Sequence, residues 1–159
     1  KRVVYEIQEE LPHIKKFGTL SPIPGFADWF SFQDDKKIEN ILSNLKNKNT
    51  SFLKSKDLKI GDKRFIDNKE LLIKLATHYI VNEKSNKGMA VIDVSRFHLG
   101  NGAIVDDIIV NANISEVGFK RSFGIMVNYL YELNSIEKNH EDFVNNKKVN
   151  ISDKLKKYL

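Results

Sequence analysis

Two segments rich in glycine or proline interrupt regular secondary structure, and these two breaks restrict the fold of this sequence more than any other feature. Residues 96–103 place His98 between two apolar side chains and then interrupt the chain with two glycines. Residues 19–26 carry Ser21 and continue directly into Pro-Ile-Pro-Gly. Because proline cannot donate to a strand ladder, we expect the short strand at residues 16–20 to end before Ser21. The two breaks therefore predict that Ser21 and His98 lie on rigid turns.

Each of these two residues has a structural and a functional interpretation. Ser21 either opens a proline turn or is a hydroxyl held for chemistry at the end of a strand. His98 is either a buried, neutral core histidine or a general acid. In the functional interpretation, Gly100 and Gly102 let the backbone approach a ligand, and the amides near Asn101 stabilise an oxyanion. A hydroxyl and an imidazole of this kind suit an acyl-transfer or enolate-forming site.

The composition indicates one folded domain. The chain has 159 residues, of which 41% are hydrophobic and 10% aromatic, and it contains no cysteine. Disulfides and thiolate metal sites are therefore excluded, and no apolar run approaches the roughly 20 residues that span a bilayer. The net charge of +5 comes mainly from lysine. Because nucleic-acid readers favour arginine, we expect these lysines to provide solubility or to attract an anionic ligand, and we predict no nucleic-acid partner.

The apolar spacing predicts several helices and two or three short strands, which indicates an α/β fold of mixed α+β layers. Helices are predicted over residues 2–11, 69–81, 122–133 and 136–144 and after Ser152, and strands over residues 16–20, 89–94 and 103–110. Residues 34–69 are predicted to form one amphipathic helix and a polar loop, as a variable insertion. On the predicted helix over 122–133, Tyr129 and Tyr131 face different directions, so one enters the core and the other can reach a site.

Asp93, Asp106 and Asp107 can be drawn together with His98 as a metal site. Their spacing matches no familiar ligand pattern, and a facial triad needs two histidines. No glycine-rich string has the spacing of a P-loop or of a dinucleotide fingerprint. We therefore predict neither a metal site nor a bound nucleotide cofactor.

Five strings of this chain resemble the C-terminal catalytic domain of malonyl-CoA decarboxylase. They are residues 1–4, 20–26 with Trp29 shortly after, 96–103, 122–131 and 136–141. The resemblance covers nearly all of residues 1–159 as a single domain and is weakest over 34–69. It implies the C-terminal part of a fold similar to that of GNAT acetyltransferases. It also implies a carboxy-lyase that removes carbon dioxide from malonyl-CoA to give acetyl-CoA, in malonyl-CoA and fatty-acid metabolism.

By this resemblance, Ser21 is the catalytic proton acceptor, His98 is the catalytic proton donor and Tyr131 lines the site. We expect all three to bind substrate, and we add Asn101 and Gly102 because their amides can face a developing oxyanion. The coenzyme A thioester is itself the substrate and takes up the electrons. No metal and no other cofactor is therefore expected.

The chain also departs from the pattern of the family. Where the family usually has Arg-Ile-Asn-Trp, residues 107–110 read Asp-Ile-Ile-Val, and Asn113 stands in place of a following Asp. Asp93 lies near the position of a usual proline. In the family, a coenzyme A pyrophosphate loop and a catalytic-site glutamate precede the helix that begins here at Lys1. We therefore expect a fragment whose upstream part, or a partner chain, supplies both.

Two alternatives remain from the sequence. One is a non-catalytic acyl-CoA-binding or structural subunit on the same fold, and the other is a GNAT-type acyltransferase. The expected partners are malonyl-CoA and acetyl-CoA, the upstream part of the protein, and further copies of the chain in a homo-oligomer. The absence of a secretion-signal pattern and of a membrane span predicts a bacterial cytoplasmic or mitochondrial matrix protein.

Overall fold

The computed structural model describes residues 2–85 and 92–159, and in these the strands form one antiparallel sheet. Strand β1 is Lys16–Pro22, β2 is Ile104–Ile109 and β3 is Met126–Glu132, in the order β1-β3-β2. The helices are α1 Arg2–Glu10, α2 Phe26–Phe32, α3 Asp35–Ile41, α4 Lys63–Asp67, α5 Lys69–Val81, α6 Asp93–Gly100, α7 Glu116–Ser122, α8 Ile136–Asn146 and α9 Asp153–Lys156. Two short 3₁₀ turns, Ser51–Lys54 and Leu133–Ser135, complete the elements of this part. The predicted mixed α/β fold is confirmed.

The predicted helix over residues 122–133 is wrong, because most of this segment is the central strand β3. Its side chains alternate between buried and partly exposed along the whole strand. Helix α7 ends before it, where Phe123 and Gly124 adopt φ angles of 54° and 74°. Apolar residues in this segment fit a helical spacing and a strand spacing equally well, and two consecutive left-handed residues break the helix.

The first strand is longer than predicted. Pairing with β3 continues through Ser21, opposite Val127, and Pro22, opposite Met126. Pro22 is the last residue of β1, which lies at the edge of the sheet, and this is a position where a strand tolerates proline. Ser21 therefore lies on a strand, with its side chain on the buried face, and not on a turn as expected.

Residues 92–100 also differ from the prediction. Asp93 and Val94 were expected to end a strand, but they open helix α6, which carries His98. His98 is therefore a helical residue and does not lie on a turn. The remainder of that predicted strand, residues 89–91, lies outside the described residues.

Residues 34–69 contain more helix than predicted. The Asp34 side chain accepts a hydrogen bond from the Lys37 amide and caps α3, and the Asp62 side chain caps α4 through the Arg64 amide. Helix α5, in contrast, has the predicted bounds. The inner face of the sheet, α5 and the aromatic residues of α2, α4 and α7 together form the hydrophobic core.

The C-terminal segment covers the outer edge of β2. The Val105 amide donates to the Asn150 carbonyl at 3.0 Å, and the Ser152 amide donates to the Val105 carbonyl at 2.9 Å. Ser152 occupies the N-cap position of α9 as predicted, but its hydroxyl donates to the Asp106 carbonyl at 2.6 Å. Within the described ranges, every helix is too short or too polar to traverse a bilayer.

Candidate active site

The inner face of the sheet and helix α6 bring Ser21 and His98 together. Ser21 Oγ lies 3.2 Å from His98 Nε2, although 77 residues separate the two in sequence. Both side chains are more than nine-tenths buried. The hydroxyl and the imidazole that the motifs indicate are therefore hydrogen-bonded neighbours.

Tyr131 contacts the other nitrogen of the same imidazole. Its hydroxyl lies 2.7 Å from His98 Nδ1. Tyr131 reaches the ring because β3 is a strand, in which residues two apart point to the same face. For the same reason Tyr129 also faces His98, whereas the predicted helix would have turned the two tyrosines in different directions.

Tyr129 packs on the face of the imidazole. The two ring centroids are 4.5 Å apart, and the ring planes are inclined by 20°. The Tyr129 hydroxyl lies 2.6 Å from Ser95 Oγ, and both side chains are fully buried. Ser95 was not among the site residues predicted from the sequence. A helix would have placed Ser95 on the same face as His98, which lies three residues later. The sequence pattern predicts a strand over residues 89–94 instead, so this relation was missed.

Burial controls the protonation of this group. It lowers the pKa of His98 below 6.5, and it raises the pKa of Tyr131 and of Tyr129 to about 12. At neutral pH the imidazole is therefore mainly uncharged and both phenols keep their protons. A neutral imidazole carries one N–H donor and one acceptor nitrogen, so a proton on Nε2 leaves Nδ1 to accept from the Tyr131 hydroxyl.

The amides near Asn101 do not form the expected oxyanion site. The Asn101 amide donates to the Phe97 and His98 carbonyls, and the amides of Gly102 and Ala103 donate to the Leu99 and His98 carbonyls. These bonds close the C-terminal end of α6 and leave the three amides engaged. Asn101 and Gly102 stay predictions as substrate contacts.

The glycine at position 102 permits a close helix contact. Gly102 has a φ of 88°, and a Cβ atom there would lie 2.3 Å from the Ile136 carbonyl oxygen of α8. Helix α8 also holds this turn through side chains, since Asn139 Nδ2 donates to the Gly102 carbonyl and His140 Nδ1 donates to the Gly100 carbonyl at 2.6 Å. The end of α6 is thus fixed on α8.

The three aspartates considered for a metal site lie among cations. Asp93 pairs with Arg96 on α6. Asp106 and Asp107 lie 2.9 Å and 3.3 Å from Lys154 Nζ of α9. In the described part of the chain, these carboxylates form ion pairs, and no group of three or more acidic or histidine side chains is placed to hold a metal ion.

Known proteins are similar to this chain in sequence and in fold. The family model of the malonyl-CoA decarboxylase C-terminal domain matches residues 1–159. Mitochondrial malonyl-CoA decarboxylase of Rattus norvegicus is 31% identical over 173 residues, which cover 98% of this chain and 35% of that protein. The relative of Mus musculus matches with the same identity and coverage. The chain thus spans about a third of the length of these curated relatives.

Solved structures agree with the sequence matches. The crystal structure of malonyl-CoA decarboxylase from Cupriavidus metallidurans matches with a TM-score of 0.80 and 33% identity, over 99% of this chain and 42% of that one. The crystal structure of the enzyme from Rhodopseudomonas palustris matches with a TM-score of 0.77 and 34% identity, over 99% of this chain and 36% of that one. The chain belongs to the malonyl-CoA decarboxylase family, and it corresponds to the C-terminal domain of that family.

Proposed function

We propose that this chain carries the serine and the histidine of a malonyl-CoA decarboxylase, and that the intact protein converts malonyl-CoA to acetyl-CoA and carbon dioxide. The observation that carries the proposal is the hydrogen-bonded series of Ser21, His98 and Tyr131, with both imidazole nitrogens engaged. The membership of the chain in the family supports the choice of substrate.

The reaction breaks the bond between the central carbon of the malonyl group and its carboxylate. The electron pair of that bond moves toward the thioester carbonyl, so carbon dioxide leaves and an enolate remains. One proton, supplied by His98 as the donor of the site, then adds to the carbon and completes the acetyl group, and His98 regains a proton from solvent. The barrier is largely the energy of the negative charge on the enolate oxygen, and one fixed hydrogen-bond donor there is worth about 2.7–4 kcal/mol. The thioester carbonyl itself accepts the electrons.

The protonation of the site fits this reaction. When Nε2 of His98 carries the ring proton, it donates to Ser21 Oγ, and the Ser21 hydroxyl hydrogen is free to point at the substrate. Ser21 then accepts from the histidine, and His98 is the donor of the pair, as the resemblance implies. The Tyr131 hydroxyl completes this arrangement by donating to Nδ1, because its raised pKa keeps its proton in place at neutral pH.

The remaining parts of the active site are proposed to come from outside this chain. By family resemblance, a pyrophosphate-binding loop and a glutamate lie upstream in the intact protein or in a partner chain. Residues 107–110, on and just after strand β2, differ from the family pattern. Asp107 lies beside Lys154, so α9 provides a cation near the place where the family usually has an arginine.

The test is the turnover of malonyl-CoA by the intact protein and its variants. We expect Ser21→Ala and His98→Asn each to lower the release of acetyl-CoA and carbon dioxide by about 100-fold or more, because each removes one proton-transfer group. His13 is exposed on the surface, so His13→Asn is the matched control and is expected to keep full turnover.

Near-normal turnover in both active-site variants would contradict the assigned roles. An intact wild-type protein that binds acetyl-CoA without cleaving malonyl-CoA would support the non-catalytic alternative. Transfer of the acetyl group to an amine would instead support the acyltransferase.

A further inference from the structure

A second pair of hydroxyl groups lies behind the candidate active site. The Tyr129 hydroxyl and Ser95 Oγ are 2.6 Å apart and fully buried, and the Tyr129 ring stacks on His98. Ser95 and His98 are three residues apart on α6, so their side chains share one face of the helix. Tyr129 therefore contacts α6 at two points, one through its hydroxyl and one through its ring.

The two contacts restrain tilting of the imidazole plane, a motion that the hydrogen bonds of the imidazole oppose only weakly. Ser21 and Tyr131 hold His98 at the nitrogen atoms, along the edge of the ring. A bond at the edge opposes sliding of the ring within its plane but opposes tilting of that plane only weakly. A flat aromatic ring packed at 4.5 Å against the imidazole face opposes tilting directly, because tilting drives the atoms of the two rings together.

The polar pair is not required for packing alone. Among the described residues, the two hydroxyl groups bond only to each other, and such a pair can be replaced by apolar groups of the same shape at little or no loss of stability. The pair instead fixes the position of the Tyr129 ring, because the short bond sets how far the ring extends along α6. A phenylalanine in the same space would be free to shift along the imidazole face.

We propose that Tyr129 and Ser95 are positioning residues, which hold the imidazole plane of His98 so that Nε2 faces Ser21. The Tyr129 ring supplies the flat contact, and the Ser95 hydroxyl fixes that ring on helix α6. This inference rests on the proposed role of His98 in decarboxylation. Neither residue needs to touch the substrate for this role.

The test compares four variants of the intact protein by steady-state kinetics with malonyl-CoA. Tyr129→Leu removes the flat contact, and we expect kcat to fall by about 10- to 100-fold while KM stays nearly constant, because the reacting groups lose alignment. Tyr129→Phe and Ser95→Ala each remove the same hydrogen bond and are expected to lower kcat by a similar, smaller factor. The double variant should be no worse than either single change, because the two residues act as one unit.

A buried serine elsewhere provides the matched control. Ser122 is almost fully buried and its hydroxyl bonds to the Gly118 and Ile125 carbonyls. Ser122→Ala should lower the melting temperature and leave kcat unchanged. If Ser95→Ala and Tyr129→Phe also lower only the melting temperature, with kcat within about twofold of wild type, the positioning role is wrong. This comparison remains decisive if Tyr129→Leu does not fold.

Nitrogen NMR of histidine-labelled intact protein gives a readout that does not depend on turnover. The signals of His98, assigned by their loss in His98→Asn, report which ring nitrogen carries the proton. We expect one tautomer in the wild type and an exchange-averaged signal in Ser95→Ala, and an unchanged signal in that variant would contradict the inference. If the His98 signal differs in this way between the wild type and Ser95→Ala, but the wild type does not cleave malonyl-CoA, the proposed function is wrong and the positioning role is retained.

Discussion

The buried His98 and the partly buried His78 have different partners, and the partners determine what each ring can do. His98 contacts two hydroxyl groups and an aromatic face. His78, on α5, lies 3.2 Å from a Glu83 carboxylate oxygen that also accepts from Lys37 at 2.7 Å. Burial lowers the pKa of both histidines, but at His78 the carboxylate opposes this effect. Hydroxyl partners leave the proton of a ring free to move, whereas the Glu83 carboxylate favours the protonated form of His78 and the Lys37 ammonium opposes it.

The largest expected difference between the two histidines is in turnover. His98→Asn should lower kcat by about 100-fold or more, because it removes the proton donor of the site. His78→Asn should keep kcat near the wild-type value, since the groups around His78 form an ion-pair network that does not include Ser21. Steady-state kinetics of the two intact variants measures the contrast. A comparable loss of kcat in His78→Asn would show that the His78 cluster takes part in the reaction.

The next effect concerns the hydroxyl partner at Nδ1. Tyr131→Phe keeps the ring but removes the group that bonds His98, and we expect kcat to fall by about 10- to 100-fold because the tautomer and orientation of the imidazole are no longer fixed. Tyr5→Phe removes an exposed tyrosine hydroxyl that donates to the Glu137 carboxylate, and it serves as the control. Equal kcat values for the two variants would show that the Nδ1 contact is not needed.

A smaller effect is expected in the pH dependence of stability. A histidine whose pKa is lowered in the folded state binds fewer protons there than in the unfolded chain, where its pKa is near 6.5. The stability that it contributes is therefore complete above that value and is lost as the pH falls below it. The melting temperature of the intact protein should fall between pH 7 and about pH 5.5. It should fall less in His98→Asn and in His78→Asn, and an equal fall in all three proteins would contradict this account.

The smallest effect is a change in the pKa of one histidine. Glu83 raises the pKa of His78 against the larger effect of burial. Glu83→Gln should therefore lower the pKa of His78 further and leave that of His98 unchanged. Histidine NMR titration of the intact protein measures both in one sample. A shift of both rings would indicate that the two regions are coupled through α5 and the sheet.

Local patterns in the sequence were sufficient to predict some elements. Helix α5 was predicted with its bounds, because apolar residues along it recur at helical spacing and it is buried on most sides. Strand β3 was predicted as a helix, since Met126, Val127 and Leu130 fit both spacings. What decided for the strand was its pairing with β1 and β2, and such partners are far away in sequence.

The candidate site shows the same difference between what local patterns predict and what distant contacts decide. Ser21, His98 and Tyr131 were selected from motifs, and the structure places them together. Ser95 was missed and Tyr129 was left unassigned, because their roles depend on a contact between a helix and a strand 34 residues apart. The conformations around the motifs were also wrong, since a strand and a helix hold the residues that were expected on turns. The sequence thus indicated the chemical groups, and long-range packing determined their arrangement.

The strand pairing described above has a consequence for how the protein folds. Pairing of β1 with β3 joins Phe17 to Tyr131, so a loop of more than a hundred residues must close before Ser21 reaches its place. Contacts so distant in sequence form slowly, because closing a long loop reduces chain entropy before any packing is gained. Helices such as α5 can form before that closure. Recovery of the Ser21–His98 contact during refolding should therefore lag behind recovery of helical circular dichroism, which makes the site a late reporter of folding.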